Sequence, residues 1–416
     1  MSKVIVIGAG ITGITTAYSL AKRGYEVTVI ESQPYAAMVT SYANGGQLSV
    51  SNSEVWTTWN NVFKAAKWIF KKDAPLLVNP WPSRKKMSWA AKFFANTVAM
   101  KYESNTIKTI ELGLRAREHY FRIADEEKIN FDLYKKGILH FYKNSAYFAA
   151  AVKSCELYQK HGLDRTPITL EQMVELEPAL ANNNSIIGAT YTASDATGDI
   201  HNFCRELSNV LEHRYGVKFS YNTEVQQVDK LHEVVSVQTL VDNNNLKTFI
   251  ADHVVICAGV ASAKIAPMVN DAVDVYPVKG YSITIPLLNK AEQEAAPEVS
   301  LLDDEAKIVT SRLGKDRFRI AGTAELADYN LDIRKDRIDP LVQWVRKNFP
   351  HVSTEHVIPW AGLRPMTPSM MPIVRQTKTP HVWFNTGHGH LGWTLSAATA
   401  EMIADQIDLD PNDNNL

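Results

Sequence analysis

Cysteine is scarce in this chain, with three in 416 residues. Cys155, Cys204 and Cys257 stand far apart, with no C-x-x-C pair and no metal-ligand spacing. That usage excludes a disulfide framework and fits a reducing compartment. An excess of one charge is also missing. The net charge is −1, so no overall field draws the molecule toward nucleic acid. No apolar run reaches the roughly 18 residues that a membrane span requires. The N-terminus, MSKVIVIGAGITGITTAYSL, is apolar but interrupted by Gly8, Gly10 and Gly13. A signal peptide would keep an unbroken apolar core. No internal repeat and no low-complexity tract is found, and the polar tail DLDPNDNNL reads as frayed. What remains is an ordinary globular composition, 45% hydrophobic and 21% charged, long enough for about two or three domains.

The first thirty-one residues carry the strongest pattern. Val4, Ile5, Val6 and Ile7 form a continuous apolar run, as in a buried parallel strand. GAGITG follows, with Gly8, Gly10 and Gly13 at G-x-G-x-x-G spacing. ITTAYSLAKRG reads as a helix closed by Gly24, and EVTVIE as a second strand ending on Glu31. The first glycine makes a tight turn, the second admits a pyrophosphate, and the third lets helix and strand pack closely. The helix N-terminus offers amides and a positive dipole end to phosphate. An acid at the end of the second strand accepts hydrogen bonds from a ribose. Strand, turn, helix, strand and acid in that order point to a bound dinucleotide, NAD or FAD. The competing reading is a doubly wound sheet without nucleotide.

Two later segments favour the longer cofactor. ADHVVICAG, residues 251 to 259, is an apolar strand ending in Ala258 and Gly259. VWFNTGHGHLGWTLSAATAEMIADQI reads as strand, glycine-rich turn and helix, with Gly387, Gly389 and Gly392 in the turn. A helix N-terminus there would stabilise negative charge on a reduced flavin. His388 and His390 have no convincing third ligand near them. The turn is therefore expected to offer backbone to the flavin, and no metal is expected.

One arginine stands in a stiff setting: GLRPMTP, residues 362 to 368, holds Arg364 between Gly362, Pro365 and Pro368. A fixed guanidinium suits a carboxylate gripped through two parallel hydrogen bonds. The plainer alternative is a salt bridge in a surface turn.

Taken together, the chain resembles the D-amino acid dehydrogenase small subunit family, within the D-amino acid oxidase and glycine oxidase group of flavoproteins. The resemblance covers nearly the whole chain. It is carried by VIGAGITGITTAYSLAKRGYEVTVIE, TSYANGGQLS, DATGDIHNF, VYPVKGYSITIP, GLRPMTP and NTGHGHLGWT. It implies non-covalent FAD and oxidative deamination of a D-amino acid, D-alanine-like, to a 2-oxo acid and ammonia. Hydride would pass from Cα to flavin N5, and electrons would go on to a respiratory acceptor such as quinone. It also implies a cytoplasmic protein, peripheral on the inner face of the membrane, and it places the substrate carboxylate on Arg364. The chain departs from the family pattern at Tyr42, at Gly45–Gly46 and at His390, which bears on substrate range more than on chemistry.

The expected catalytic residues are Arg364, Tyr281 and Arg312. Tyr281, in VKGYSITIP, would bond the carboxylate or amine, or else be a half-buried strand tyrosine. Arg312, in KIVTSR, would be a second carboxylate contact, or else half of a cross-strand ion pair. The expected cofactor contacts begin with Val6, Ile7, Gly8, Ala9, Gly10, Ile11, Thr12 and Gly13. Glu31, Ser32, Ser41, Asn44, Gly45, Gly46 and Gln47 follow, then Val225, Ala258, Gly259 and Gly362. Gly387, Gly389, His390, Leu391, Gly392, Trp393 and Thr394 complete the set. Ser41, Asn44 and Gln47 have a plain connecting loop as the alternative.

From Asn61 to Tyr102 the chain holds nine basic residues: Lys64, Lys67, Lys71, Lys72, Arg84, Lys85, Lys86, Lys92 and Lys101. The only acid there is Asp73, and Trp68, Phe70, Trp81, Trp89, Phe93 and Phe94 are interleaved. Such a stretch suits an anionic bilayer, or a helical layer with an apolar face inward and a basic face in water. No recognised nucleic-acid motif accompanies the charge.

The expected fold is α/β, a discontinuous Rossmann-like FAD-binding domain with a mixed-sheet α+β substrate domain. Residues 1–50, 145–269 and 356–416 are assigned to the first, and 51–144 and 270–355 to the second. A same-fold oxidase or dehydrogenase of glycine, sarcosine, D-proline or cis-hydroxy-D-proline is the enzyme rival. A non-catalytic FAD-binding module is the remote one.

Overall fold

The computed structural model describes residues 2–68, 76–78, 83–242 and 244–410. Two sheets organise them. The first has six strands in the order Ile373–Gln376, Val382–Thr386, His253–Ile256, Lys3–Ile7, Glu26–Ile30 and Lys218–Ser220. All neighbours are parallel except the pair Ile373–Gln376 and Val382–Thr386. The strand Lys3–Ile7 lies inside it, Val6 facing Val29 on one side and Val255 on the other.

The continuous apolar run of that strand now has a cause, because both of its faces are buried. Val4 and Val6 pack into a core with the helices Ile11–Lys22, Ile200–Tyr215 and Gly392–Asp408. Ile5 and Ile7 pack into a second core, under the antiparallel sheet of Thr223–Leu231, Val234–Val241 and Asn245–Ala251. Each fully buried aliphatic side chain contributes about 1.5–3 kcal/mol relative to exposure. Helix Ile200–Tyr215 starts where Asp199 accepts from the His201 and Asn202 amides, and ends at Gly216 in the left-handed conformation.

The second sheet has nine strands. Its main order is Ile358–Met366, Tyr276–Pro286, Arg317–Leu326, Ile308–Leu313, Ser300–Asp303, Ile138–Tyr142, Gly188–Thr192 and Arg165–Ile168, and Leu76–Val78 pairs with Arg317–Leu326. Helix Lys335–Asn348 covers one face, where Ile338, Leu341, Trp344 and Val345 meet Tyr281, Ile283 and Ile285. Val278, Gly280 and Ser282 alternate with these and border a cavity on the other face.

The domain limits expected from sequence differ from this pairing. Gly188–Thr192, Arg165–Ile168 and Ile358–Met366 were assigned to the cofactor domain, yet they pair in the nine-stranded sheet. Helix Tyr102–Glu127, assigned to the substrate domain, packs on helix Gly392–Asp408 in the cofactor layer. Strand pairing across long separations decides these assignments, and local pattern does not carry it.

Candidate active site

A cavity of about 1630 Å³ runs from the turn after the first strand to the sheet carrying Arg364. That is larger than the roughly 300–1,000 Å³ of a typical small-ligand site. Its dinucleotide end is built as the glycine pattern requires. Gly8 has φ +105, and a Cβ on Gly13 would stand 1.8 Å from the Gly8 oxygen. Helix Ile11–Lys22 therefore sits too close to the turn for any side chain at Gly13. No side chain caps that helix at Gly10 and no acid lies in its first turn, so it presents its positive end to the cavity. Ser41 Oγ accepts from the Ile11 amide at 3.1 Å. The Glu31 carboxylate accepts from the Ala9 amide at 2.7 Å and the Gln33 amide at 2.9 Å, which fixes it at the end of the second strand. An elongated cavity, a helix start with no acid in its first turn and a fixed acid at the end of the second strand fit a bound dinucleotide.

Most of the expected contacts border this cavity, among them Ile7, Gly10, Thr12, Ser32, Asn44, Gly45, Gly46, Val225, Ala258, Gly259 and the run Gly389–Thr394. Val6, Ala9, Gly13 and Gly387 stand behind its wall rather than on it. Gln47 borders it, but its amide is committed to the second sheet, donating to Ser300 Oγ at 2.8 Å and the Leu301 carbonyl at 3.1 Å. Asn44 Oδ1 accepts from the Gly46 amide at 2.9 Å and shapes its own turn. In DATGDIHNF, Asp195 is fully buried and accepts from the amides of Val50 and Ser51, both at 3.0 Å, which holds the 49–52 segment against the cavity.

Arg364 stands in a strand, Ile358–Met366, and not in a surface turn. The strand is an edge, which is why Pro365 is tolerated there. Among the described residues, no hydrogen bond or ion pair engages the Arg364 guanidinium, which borders the cavity. Burial alone pulls its pKa down to about 10. Arg364 is half-buried; a partly desolvated cation without a partner is costly, and an anion placed beside it removes that cost.

The other two expected catalytic residues are placed differently. Tyr281 borders the cavity, but its side chain packs in the core under helix Lys335–Asn348, and its hydroxyl donates to Glu325 Oε2 at 2.6 Å. Glu325 is also held by Lys279 at 3.2 Å and Arg334 at 3.0 Å. Tyr281 is thus a structural member of a buried ionic cluster under helix Lys335–Asn348. Arg312 does not border the cavity. Its guanidinium donates to the carbonyls of Gln293, Ala296, Pro297 and Lys315, so it pins a loop, and among the described residues it forms neither a carboxylate contact nor a cross-strand ion pair.

The two histidines of the glycine turn diverge. His388 Nε2 pairs with Thr399 Oγ1 at 2.8 Å in helix Gly392–Asp408. The His390 ring stacks on Trp56 with centroids 4.6 Å apart. Burial holds both near a pKa of about 3, with the Arg364 charge adding to the effect at His390. One group of potential metal ligands occurs among the described residues: His253, His381 and Asp410, with ligand atoms within 4.8 Å. Trp383 Nε1 donates to His253 Nδ1 at 3.3 Å. A donor on that nitrogen leaves the proton on Nε2, which is unsuited to a metal ligand.

Sequence reasoning missed the aromatic side of the cavity. Trp56, Trp89, Phe93 and Trp360 border it. Trp89 and Phe93 stand in the basic stretch, for which an inward apolar face was one of the two readings, but nothing in the sequence directs them to the cofactor cavity. Lys71, Lys72, Asp73, Phe70 and Trp81 of that stretch lie outside the described residues. Among the described residues, no helix is long and apolar enough to cross a membrane.

A parallel sheet with a glycine turn at a helix start, joined to a mixed sheet over one long cavity, defines a dinucleotide-binding flavoprotein architecture. The model of the family described as FAD dependent oxidoreductase matches residues 3–406, and the chain belongs to that family. It binds FAD as an oxidoreductase cofactor. It is 50% identical over 410 residues to D-amino acid dehydrogenase 3 of Mesorhizobium japonicum, covering 99% of this chain and 98% of that protein. It is 36% identical over 411 residues to a D-amino acid dehydrogenase of Dechloromonas aromatica, covering 97% and 96%. Among solved structures, glycine oxidase from Geobacillus kaustophilus superposes with a TM-score of 0.76 at 19% identity, covering 98% of this chain and 95% of that one. At that identity the likeness concerns the fold.

Proposed function

We propose that this protein oxidises D-amino acids to 2-oxo acids and ammonia, with Arg364 holding the substrate carboxylate. The single observation that carries the reading is the unpartnered Arg364 guanidinium, half-buried at the sheet end of the cofactor cavity. The names of the two D-amino acid dehydrogenases, similar over nearly their whole length, agree with it. Bound FAD would supply the acceptor for the hydride leaving Cα, and the imine left behind would be hydrolysed by water to the 2-oxo acid and ammonia. The chain's own part is orientation. Arg364 fixes the carboxylate, and a Cβ-free Gly280 leaves the guanidinium its place. Gly8 to Thr12, Glu31 and the run Gly389–Thr394 hold the cofactor. No residue needs to act as a strong base, because the amine reacts once it is neutral.

Electrons leave for a separate acceptor, and a quinone in an anionic membrane is the acceptor we favour. Trp59, Phe63, Met87, Val98 and Met100 are exposed on or next to the helices that carry the basic stretch. Exposed apolar groups among lysines suit a peripheral contact with anionic lipid. Co-sedimentation with anionic but not with zwitterionic vesicles tests this. Equal binding to both, or to neither, contradicts it.

The substrate reading is tested by anaerobic spectra of the FAD-loaded protein. D-amino acids are expected to bleach the flavin band, and Arg364→Ala to raise the concentration required. Bleaching by glycine or sarcosine alone would move the protein to the oxidase-like rival.

A further inference from the structure

The surroundings of Arg364 define a second feature of the same site. Val278 is the register partner of Arg364 on the neighbouring strand, and their side chains share the cavity face. Val278 belongs to a buried apolar cluster with Met366, against which Trp56, Trp89 and Phe93 pack. Trp89 Nε1 donates to the Met366 carbonyl at 2.9 Å, which ties helix Arg84–Val98 to the strand that carries Arg364. The Trp89 and Phe93 rings stack with centroids 5.3 Å apart. On the other side, the Trp360 indole lies over Gly362, where a Cβ would meet it at 2.1 Å. Trp360, Gly362 and Arg364 alternate on one face of one strand, so the indole stands next to the guanidinium.

Among the described residues, no free carboxylate is offered beside Arg364. Glu325, on the adjacent strand, is turned to the opposite face and held by Tyr281, Lys279 and Arg334. Glu54 is bonded by the Tyr102 hydroxyl, and Tyr102 packs against the same Met366 cluster as Trp89 and Phe93, so that carboxylate is already engaged. Among the described residues, Arg364 is the positive group of the chamber wall, and the carboxylate of the substrate would use it.

We propose that this chamber selects D-amino acids with large, uncharged, apolar side chains, aromatic ones included, over D-alanine and over acidic or basic ones. The proposal rests on the carboxylate reading of Arg364. An ammonium or guanidinium side chain would meet no free acid among the described residues of the chamber wall. A carboxylate side chain would compete with the α-carboxylate for one arginine. A methyl side chain would leave the aromatic wall unfilled.

The experiment compares kcat/KM of the FAD-loaded protein for D-phenylalanine, D-leucine, D-alanine, D-aspartate and D-lysine with an artificial dye acceptor. D-phenylalanine and D-leucine are expected to exceed D-alanine by roughly tenfold or more, the scale set by filling an apolar subsite. D-aspartate and D-lysine should fall below D-alanine. In Trp360→Ala, and independently in Phe93→Leu, the ratio of D-phenylalanine to D-alanine should fall at least about fivefold, with the flavin spectrum showing that each variant has folded. A preference for D-alanine, D-aspartate or D-lysine, or an unmoved ratio in both variants, overturns the inference and leaves the D-amino acid reading standing. If no D-amino acid supports turnover, the parent reading falls and this one with it.

Discussion

Gly280 and Arg364 are diagonal neighbours on adjacent strands, and a Cβ on Gly280 would stand 2.5 Å from Arg364 Nη2. The glycine is thus part of the arginine's seat. Gly280→Ala is expected to displace the guanidinium and to weaken substrate use by roughly 10- to 100-fold, as misplacement of a positioning group does. The FAD spectrum should be unchanged. Steady-state kinetics checks this, and a KM equal to that of the parent would show that the guanidinium has room to spare.

Removing the arginine itself goes further. Arg364→Ala should cost about 1.5–3 kcal/mol of carboxylate binding, or roughly 10- to 150-fold in apparent affinity. Arg364→Lys should recover only part of it, because an ammonium cannot form two parallel bonds to a planar anion. Spectral titration with a simple carboxylate that lacks an amine isolates this contact.

Tyr281→Phe is expected to leave substrate KM within about threefold while lowering stability by about 1–3 kcal/mol, since it removes one donor from a buried carboxylate. The hydroxyl belongs to the Glu325 cluster and lies on the far face of the strand. A large rise in KM without loss of stability would contradict that placement.

Two pH effects follow. The Arg364 guanidinium sits at about 10 because burial partly desolvates it. Binding of an amine-free carboxylate should therefore weaken as pH rises through about 10. His388 and His390 are lowered to about 3 by burial, against about 6.5 in an unfolded chain. The unfolded state then binds more protons between those values, so stability falls with acidification from about pH 6.5 toward 3, by about 1.4 kcal/mol per pH unit for each histidine. Urea unfolding at several pH values measures the slope.

Gly13→Ala should abolish FAD retention, because a Cβ there would stand 1.8 Å from the Gly8 oxygen, which is backbone and cannot move aside. Absorbance of the purified variant decides the point.

The cofactor cradle was legible because it is local. Gly8, Gly10, Gly13 and Glu31 act within one strand–turn–helix–strand unit, whose spacing is dictated by phosphate and ribose. Arg364 was legible as a fixed arginine, but its setting on an edge strand depends on pairing with Tyr276–Pro286, some eighty positions away in sequence. Gly280 and Tyr281 show why the rest was hidden. Both faces of their strand are buried, so apolar alternation does not reveal which face meets the cavity. Only the register, with Gly280 opposite Gly362, assigns the seat to Gly280 and turns Tyr281 to Glu325. Trp56 and His390 stack from opposite ends of the chain, and no local signal joins them. The aromatic residues of the basic stretch were visible, but their inward direction depends on the bond from Trp89 to Met366.

The most direct test of the whole account is an anaerobic titration of the FAD-loaded protein with paired D- and L-amino acids, glycine, sarcosine and D-proline, followed by the visible flavin band. The account predicts bleaching by D-amino acids, strongest with large apolar side chains, and a much higher half-saturation in Arg364→Ala. A flavin band that no amine bleaches, or one bleached equally well in Arg364→Ala, would contradict it.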